Sequence, residues 1–343
     1  MISRGATFPR GNVSFNEKTL SALFTDARKA GDIFTSINGD LLAKYREYYG
    51  LDYKVTSYRA GILRVAEEFV FLQFFEPLDL DCRKKRECIL ISHGYYDHAG
   101  LYGHLIEHLL SRGWNVAIFD QIGHGLSSGS RAEIQDFDQY VQVLSRVVEQ
   151  LEKKENQKIR HWIGQSMGCS VLLEYFASGS KELEGELILL APLVRPYGWS
   201  WLRFYFSLIK HFVKRRPRKF ERKGPNKEFL DLLLNDPLQA RVLPVNWVQA
   251  MVNWFERFEK RRIVFEKLII IQGLKDKTVS SRHNLKVLKN LCQSIDLLEI
   301  PEAKHHLVNE AEPIRQQLWD WLDNCLLYTS PSPRDRTRSR MPS

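Results

Sequence analysis

IRHWIGQSMGCSVLLEYFASG, residues 159–179, joins a short run of β-branched and aromatic residues to a helical run through Gly164-Gln165-Ser166-Met167-Gly168. This is the G-x-S-x-G pattern of a nucleophile elbow. The turn from strand to helix is so tight that the positions two before and two after the serine have no room for a Cβ. The serine then projects from a strained turn at a helix N-terminus, where the helix dipole favours negative charge. By itself the pattern is short and common. Its place between a strong strand and a strong helix is what makes Ser166 a candidate nucleophile.

Working outward, the same alternation recurs. FVFLQFF (69–75), ECILISH (87–93) and WNVAIFD (114–120) read as strands, as do ELILLAP (186–192), KLIIIQG (267–273) and IDLLEI (295–300). Their near-continuous apolar character predicts strands buried on both faces, as in a mostly parallel sheet flanked by helices. LYGHLIEHLLSRG (101–113), FDQYVQVLSRVVEQLEKK (137–154) and SRHNLKVLKNLC (281–292) read as helices between them. Strands alternating with helices define an α/β fold. One interval breaks the rhythm: the stretch between Pro192 and Lys267 is far longer than an ordinary connection and carries helical patterns of its own, so it is an insertion. The expected organisation is an N-terminal helical extension (1–54), a core (55–193 and 263–324), a helical basic and aromatic cap (194–262) and a foreign-looking tail (325–343).

A serine hydroxyl needs a base to take its proton, and the base needs a carboxylate to orient it. In folds of this kind active sites lie past the C-terminal ends of strands. KLIIIQG runs into Leu274-Lys275-Asp276, and IDLLEI is followed by Pro301-Glu302-Ala303-Lys304 and then His305-His306. Asp276 is the candidate acid; spacing leaves the base open between His305 and His306. The amides of Met167, after the nucleophile, and Tyr95, in the loop after ECILISH, are the candidate oxyanion donors. His93 and His98 lack companions at metal-ligand spacing, so neither a metal nor any other cofactor is expected.

With these residues in place the chain resembles the monoacylglycerol lipase and lysophospholipase branch of the α/β-hydrolases, a group also classed with the serine aminopeptidases. HGYYDHAGLY (93–102), DQIGHGLSSGSR (120–131), GQSMG (164–168) and AKHHLVNE (303–310) carry the resemblance, which spans roughly residues 55–324. It implies the α/β-hydrolase fold with a helical cap, and a serine esterase acting on monoacylglycerol- or lysophospholipid-like esters. The resemblance implies His305 as the base, Asp276 as the acid and a positional role for His124. Gln165 stands where the family most often has His, and Cys169 where a third Gly is common; neither is expected to touch the triad. A peptidase acting on small N-terminal substrates is the alternative enzyme class, and a non-catalytic scaffold the alternative outside catalysis.

The charge is local. Of the chain's formal net charge of +9, the segment from Arg195 to Lys223 supplies the equivalent of all of it, with ten basic residues against the single acid Glu221. YGWSWLRFYFSLIKHFVKRRPRKF (197–220) sets Trp, Phe, Leu and Ile beside this charge, a composition suited to anionic lipid headgroups. Peripheral contact with an anionic membrane through the cap is therefore expected. No nucleic-acid motif accompanies the charge, so nucleic-acid binding is not expected. The five cysteines match no disulfide or zinc pattern, and MISRGATFPRGNVSF (1–15) has no apolar signal core. Both point to the cytoplasm. CLLYTSPSPRDRTRSRMPS (325–343) loses the helical pattern of EPIRQQLWDWLDN (312–324) and resembles an adaptor sequence translated in frame, so it is read as non-native.

Overall fold

The computed structural model describes Ala22 and residues 39–53, 55–78, 87–218, 226–262 and 264–327. Most of the expected extension, the basic residues Lys219, Arg222 and Lys223, and the tail from 328 onward lie outside the described residues.

In chain order the elements are α1 (Gly39–Tyr49), β1 (Val55–Val65), β2 (Glu68–Pro77), β3 (Glu87–Ser92), α2 (Gly103–Ser111), β4 (Asn115–Phe119), α3 (Asp138–Glu149), β5 (Lys158–Gln165), α4 (Met167–Ala177) and β6 (Leu187–Leu190). Then come α5 (Trp199–Ile209), β7 (Arg215–Pro217), α6 (Lys227–Asn235), β8 (Val242–Pro244) and α7 (Val245–Phe258). The chain closes with β9 (Phe265–Gly273), α8 (Ser281–Lys289), β10 (Cys292–Ile300) and α9 (Glu312–Leu327).

Eight strands form one sheet in the order β1-β2-β4-β3-β5-β6-β9-β10. β1, β2 and β4 pair antiparallel, and every pairing from β4 to β10 is parallel. The apolar strands alternate between two cores on the two faces. Ile89, Ile91, Ile163, Ile269 and Ile271 pack on one side; Leu90, Trp162, Leu268 and Ile270 pack on the other. That is why the runs read as continuously hydrophobic: both faces are covered. The sheet is the α/β-hydrolase fold that the sequence implied.

The chain lays β4 on one side of β3 and then returns to lay β5 on the other. Loops leaving adjacent strands in opposite directions open a crevice at their C-terminal ends, the usual site of an α/β sheet. The loop after β3 carries Tyr95 and the loop after β5 carries Ser166.

Three details differ from the sequence reading. The strand β1 was hidden, because VTSYRAGILRV mixes Arg59 and Arg64 with its apolar residues and, among the described residues, pairs on one side only, with β2. The insertion is not wholly helical, since β7 and β8 form a two-stranded antiparallel sheet within it. And α9 runs through Cys325 to Leu327 because Leu326 is buried in the core, so the helix continues past the expected break.

Among the described residues no helix is long and apolar enough to cross a membrane, and Cys88, Cys169, Cys292 and Cys325 are free thiols.

Candidate active site

β5 ends at Gln165 and α4 begins at Met167, so Ser166 alone makes the turn. It does so at φ 53°, ψ −113°, outside the conformations that L-residues favour. Its N–H donates to the Leu190 carbonyl (2.9 Å), and its own carbonyl accepts from the amides of Cys169 (3.0 Å) and Leu193 (3.2 Å). The neighbouring sheet strand and helix thus hold the strained turn in place. A Cβ at Gly168 would lie 1.9 Å from the Ser92 carbonyl oxygen, and one at Gly164 2.7 Å from the Cys169 nitrogen. Both glycines of the pattern are there for close approach of backbone to backbone. As the first residue of α4, Met167 carries an amide that the helix itself cannot satisfy.

Asp276 follows β9 and His305 follows β10. The His305 Nδ1 donates to Asp276 Oδ2 at 2.7 Å. The other carboxylate oxygen accepts from the amides of Thr278 (2.7 Å) and Val279 (3.2 Å), and Gln272 Nε2 adds a bond to Oδ2 at 3.2 Å. Burial works to raise the Asp276 carboxyl, but the His305 ring and these donors outweigh it and hold it below the usual carboxylate range. The acid is therefore ionised, the state that orients an imidazole and steadies its protonated form. His306 does not share this partner. Its ring meets Phe229 and the His305 ring edge-on, and its Nδ1 is 3.9 Å from Asp97.

Gln165 contradicts the expectation that it stays clear of the triad. Its Nε2 donates to the His305 carbonyl at 2.9 Å, which couples the residue before Ser166 to the backbone of His305. The Lys304 amide donates to Glu310 Oε1 at 2.6 Å, so the glutamate that closes AKHHLVNE braces the same loop. Neither contact has a local sequence signature, although the Gln165 departure marked the position.

On the other wall, a Cβ at Gly94 would stand 3.4 Å from the Ser166 Cβ. The Tyr95 loop therefore abuts the nucleophile. Tyr102 accepts from the Gly94 amide (3.0 Å) and donates to Asp97 (2.9 Å). His93 accepts from the Gln121 amide through Nε2 (2.9 Å) and donates to the Gly94 carbonyl through Nδ1 (2.8 Å). Burial lowers its pKa, so it is a neutral strut. His124 is buried, donates to the Ile122 carbonyl (2.9 Å), and packs near the rings of His93 and Tyr95. Asp120 ties the 120–131 loop down by accepting from the amides of Ala99 (2.7 Å) and Leu126 (2.8 Å). Among the described residues no group of three or more His, Cys, Asp or Glu side chains could hold a metal ion.

The insertion packs against the loop after β3 and against His306. Asp236, after α6, meets His98 Nε2 at 2.8 Å and accepts from Tyr49 at 2.6 Å, and all three are buried. Trp247 of α7 stacks on Tyr95 with ring centroids 3.6 Å apart. Sequence reading named His98 only as a residue not to be taken for a ligand, and it passed over Asp236, Tyr49 and Trp247.

Sheet order, crevice and elbow together define a hydrolase of the α/β-hydrolase fold. Residues 83–312 match the family described as serine aminopeptidase, S33, and the chain belongs to that family. It is similar to monoglyceride lipase from Homo sapiens, 25% identical over 258 residues that cover 72% of this chain and 82% of the relative. It is also similar to monoacylglycerol lipase from Mycolicibacterium smegmatis, 29% identical over 237 residues covering 66% and 84%. Among solved structures, a soluble variant of monoglyceride lipase from Saccharomyces cerevisiae in complex with a substrate analog superposes with a TM-score of 0.68 at 20% identity. That match covers 80% of this chain and 97% of the other.

Proposed function

We propose that the protein hydrolyses carboxylic esters of monoacylglycerol- or lysophospholipid-like lipids through an acyl-enzyme on Ser166. The observation that carries this reading is the convergence at the elbow. Ser166 is held in its strained turn, and Gln165 bonds the carbonyl of His305, whose ring is fixed by the ionised, buried Asp276.

Ser166 Oγ attacks the ester carbonyl while His305 Nε2 takes its proton. Asp276 holds the ring so that Nδ1 carries a proton and Nε2 is the acceptor. The developing oxyanion is met by the amides of Met167 and Tyr95. His305 then gives its proton to the leaving alcohol, and water, activated by the same ring, releases the acid and restores the serine.

The lipid part of the reading rests on the relatives' names and on α5. None of the residues of α5 is buried. Trp201 is 80% exposed and Phe212, just beyond the helix, 87%, with Lys210, Lys214, Arg215 and Arg216 alongside. An apolar face bordered by cations suits the headgroup region of an anionic bilayer, from which an acyl chain would enter beneath the insertion.

A fluorophosphonate probe should label the wild type and not Ser166→Ala; an unlabelled wild type would overturn the reading. A panel of monoacylglycerols, lysophospholipids and aminoacyl amides then separates lipid esterase from peptidase. In flotation with vesicles, binding should rise with anionic lipid and fall in Trp201→Asp, and indifference to lipid charge would remove the docking part.

A further inference from the structure

The loop that abuts Ser166 contains an unusual residue. Gly94 to Asp97 form a four-residue turn, closed by the Asp97 amide donating to the Gly94 carbonyl at 3.1 Å. Its third residue, Tyr96, has φ +71°. Gly or Asn is favoured there, because a side chain crowds the backbone in the left-handed region. A bulky aromatic residue keeps such a conformation only when its surroundings enforce it.

The insertion supplies that enforcement from both sides. The Arg218 guanidinium lies 4.0 Å from the centre of the Tyr96 ring. The Tyr96 ring is 4.1 Å from that of Tyr95, and Tyr95 is stacked at 3.6 Å on Trp247 with an interplanar angle of 14°. Four side chains thus form one continuous stack, with the loop's two tyrosines inside and two insertion residues outside. The outer pair sits on a single frame. Arg218 continues β7, its amide donating to the Arg241 carbonyl (2.9 Å), and β8 runs directly into α7, which carries Trp247. Arg218 is further held by Gln239. On the core side Tyr95 donates to the Ala132 carbonyl (2.8 Å), and next to it Glu133 accepts from Arg215 (3.0 Å) and Asn246 (2.8 Å) of the same frame. None of these contacts is made by Ser166, Asp276 or His305. All of them bear on the loop that abuts Ser166.

We infer that Trp247 and Arg218 are positioning residues of the oxyanion hole: the insertion clasps Tyr95 and Tyr96 between an indole and a guanidinium and thereby sets the Tyr95 amide against Ser166. This rests on the proposed serine-esterase reading. A displacement of that amide by about 1 Å is enough to lower turnover on the order of 100-fold, so the clasp makes catalytic power depend on the insertion being seated.

The test uses the full chain and p-nitrophenyl butyrate, a small water-soluble ester that needs no membrane. Trp247→Ala and Arg218→Met should each lower kcat by about 10-fold or more with KM changed less than about 3-fold, since a misplaced donor is felt in the transition state. Trp247→Phe, which keeps a stacking ring, should recover most of the rate. Across these variants the Ki of a short alkyl trifluoromethyl ketone, which forms a tetrahedral oxyanion on the serine, should weaken in proportion to kcat/KM. Folding is checked by melting temperature; if Trp247→Ala does not fold, Arg218→Met reads the same coupling from the other jaw. Unchanged kcat and Ki in folded Arg218→Met and Trp247→Ala would overturn the clasp while Ser166→Ala still abolished turnover. Turnover surviving in Ser166→Ala would instead overturn the serine-esterase reading beneath it.

Discussion

The molecule contains two histidine–aspartate pairs of nearly the same length. His305 and Asp276 meet at 2.7 Å, and His98 and Asp236 at 2.8 Å. Their surroundings separate them. The His305 side chain retains 11% exposure at the crevice, whereas both members of the second pair are at 0%. Both atoms of the second imidazole are also spoken for, since Nδ1 accepts from the Gly100 amide at 3.1 Å. One pair lies beside the Ser166 turn, where Gln165 bonds the His305 carbonyl; the other joins the insertion to the core, with Tyr49 of α1 as third member. In the proposed mechanism the same chemistry serves proton transfer where one side is open, and it serves attachment where none is.

The sharpest way to break that contrast is to disrupt each pair in turn. Asp276→Asn should lower kcat by about 10⁴-fold with a melting temperature close to wild type, since the ring loses its orienting partner; pre-steady-state ester hydrolysis and calorimetry read the two halves. His98→Gln should do the reverse. It leaves the Asp236 charge buried and unpaired, at a cost of about 3–5 kcal/mol, while turnover of a small ester by the folded enzyme stays within about 10-fold of wild type. A His98 variant that lost turnover but kept its stability would dissolve the distinction.

A pH series sharpens it further. Burial opposes the charge on His98, but the Asp236 carboxylate and the bond to it outweigh burial and raise its pKa. Burial likewise opposes ionisation of Asp236, and the His98 charge, the His98 and Tyr49 bonds and the Leu238 amide together lower it. A raised histidine stabilises fully below its unfolded value of about 6.5 and loses that as pH climbs through the folded one. A lowered carboxylate stabilises above about 4 and loses that as pH falls through its folded value. The stability gap between wild type and Asp236→Asn should therefore be widest between about pH 4 and 6.5 and narrow on both sides. A gap independent of pH in thermal melts would exclude a charged pair.

Smaller effects bound the comparison. His306→Gln should reduce turnover by less than about 10-fold, because the Asp276 bond belongs to its neighbour; a loss as large as that of His305→Ala would exchange their roles. Lys158 and Glu184 form an ion pair at 2.6 Å with half of each side chain exposed, and breaking it should cost no more than about 1 kcal/mol in denaturant unfolding.

The fold was legible wherever the strands were buried on both faces, since those runs are mostly apolar with few polar residues to confuse the pattern. β1 escaped because its single partner leaves room for Arg59 and Arg64. In the site, Ser166 and Asp276 were legible because each follows a strand at once. His305 was not separable from His306 by spacing, and the resemblance supplied the preference. Gln165 was seen as a departure and misjudged, because its partner lies 140 residues away.

What the sequence by itself determined is therefore what local backbone chemistry and chain order encode. These are the elbow glycines that permit Ser166 its turn, the strand–helix alternation, the chain order of the candidate residues Ser166, Asp276 and His305, and the basic aromatic stretch of the insertion. What only the tertiary structure decided is which groups meet across large separations. Asp276 is 29 residues from His305, Asp236 is 138 from His98, and the stack from Arg218 through Tyr96 and Tyr95 to Trp247 draws on two distant segments. Such contacts depend on how the sheet and the insertion pack, and a side chain carries no mark of its partner until that packing has closed the distance.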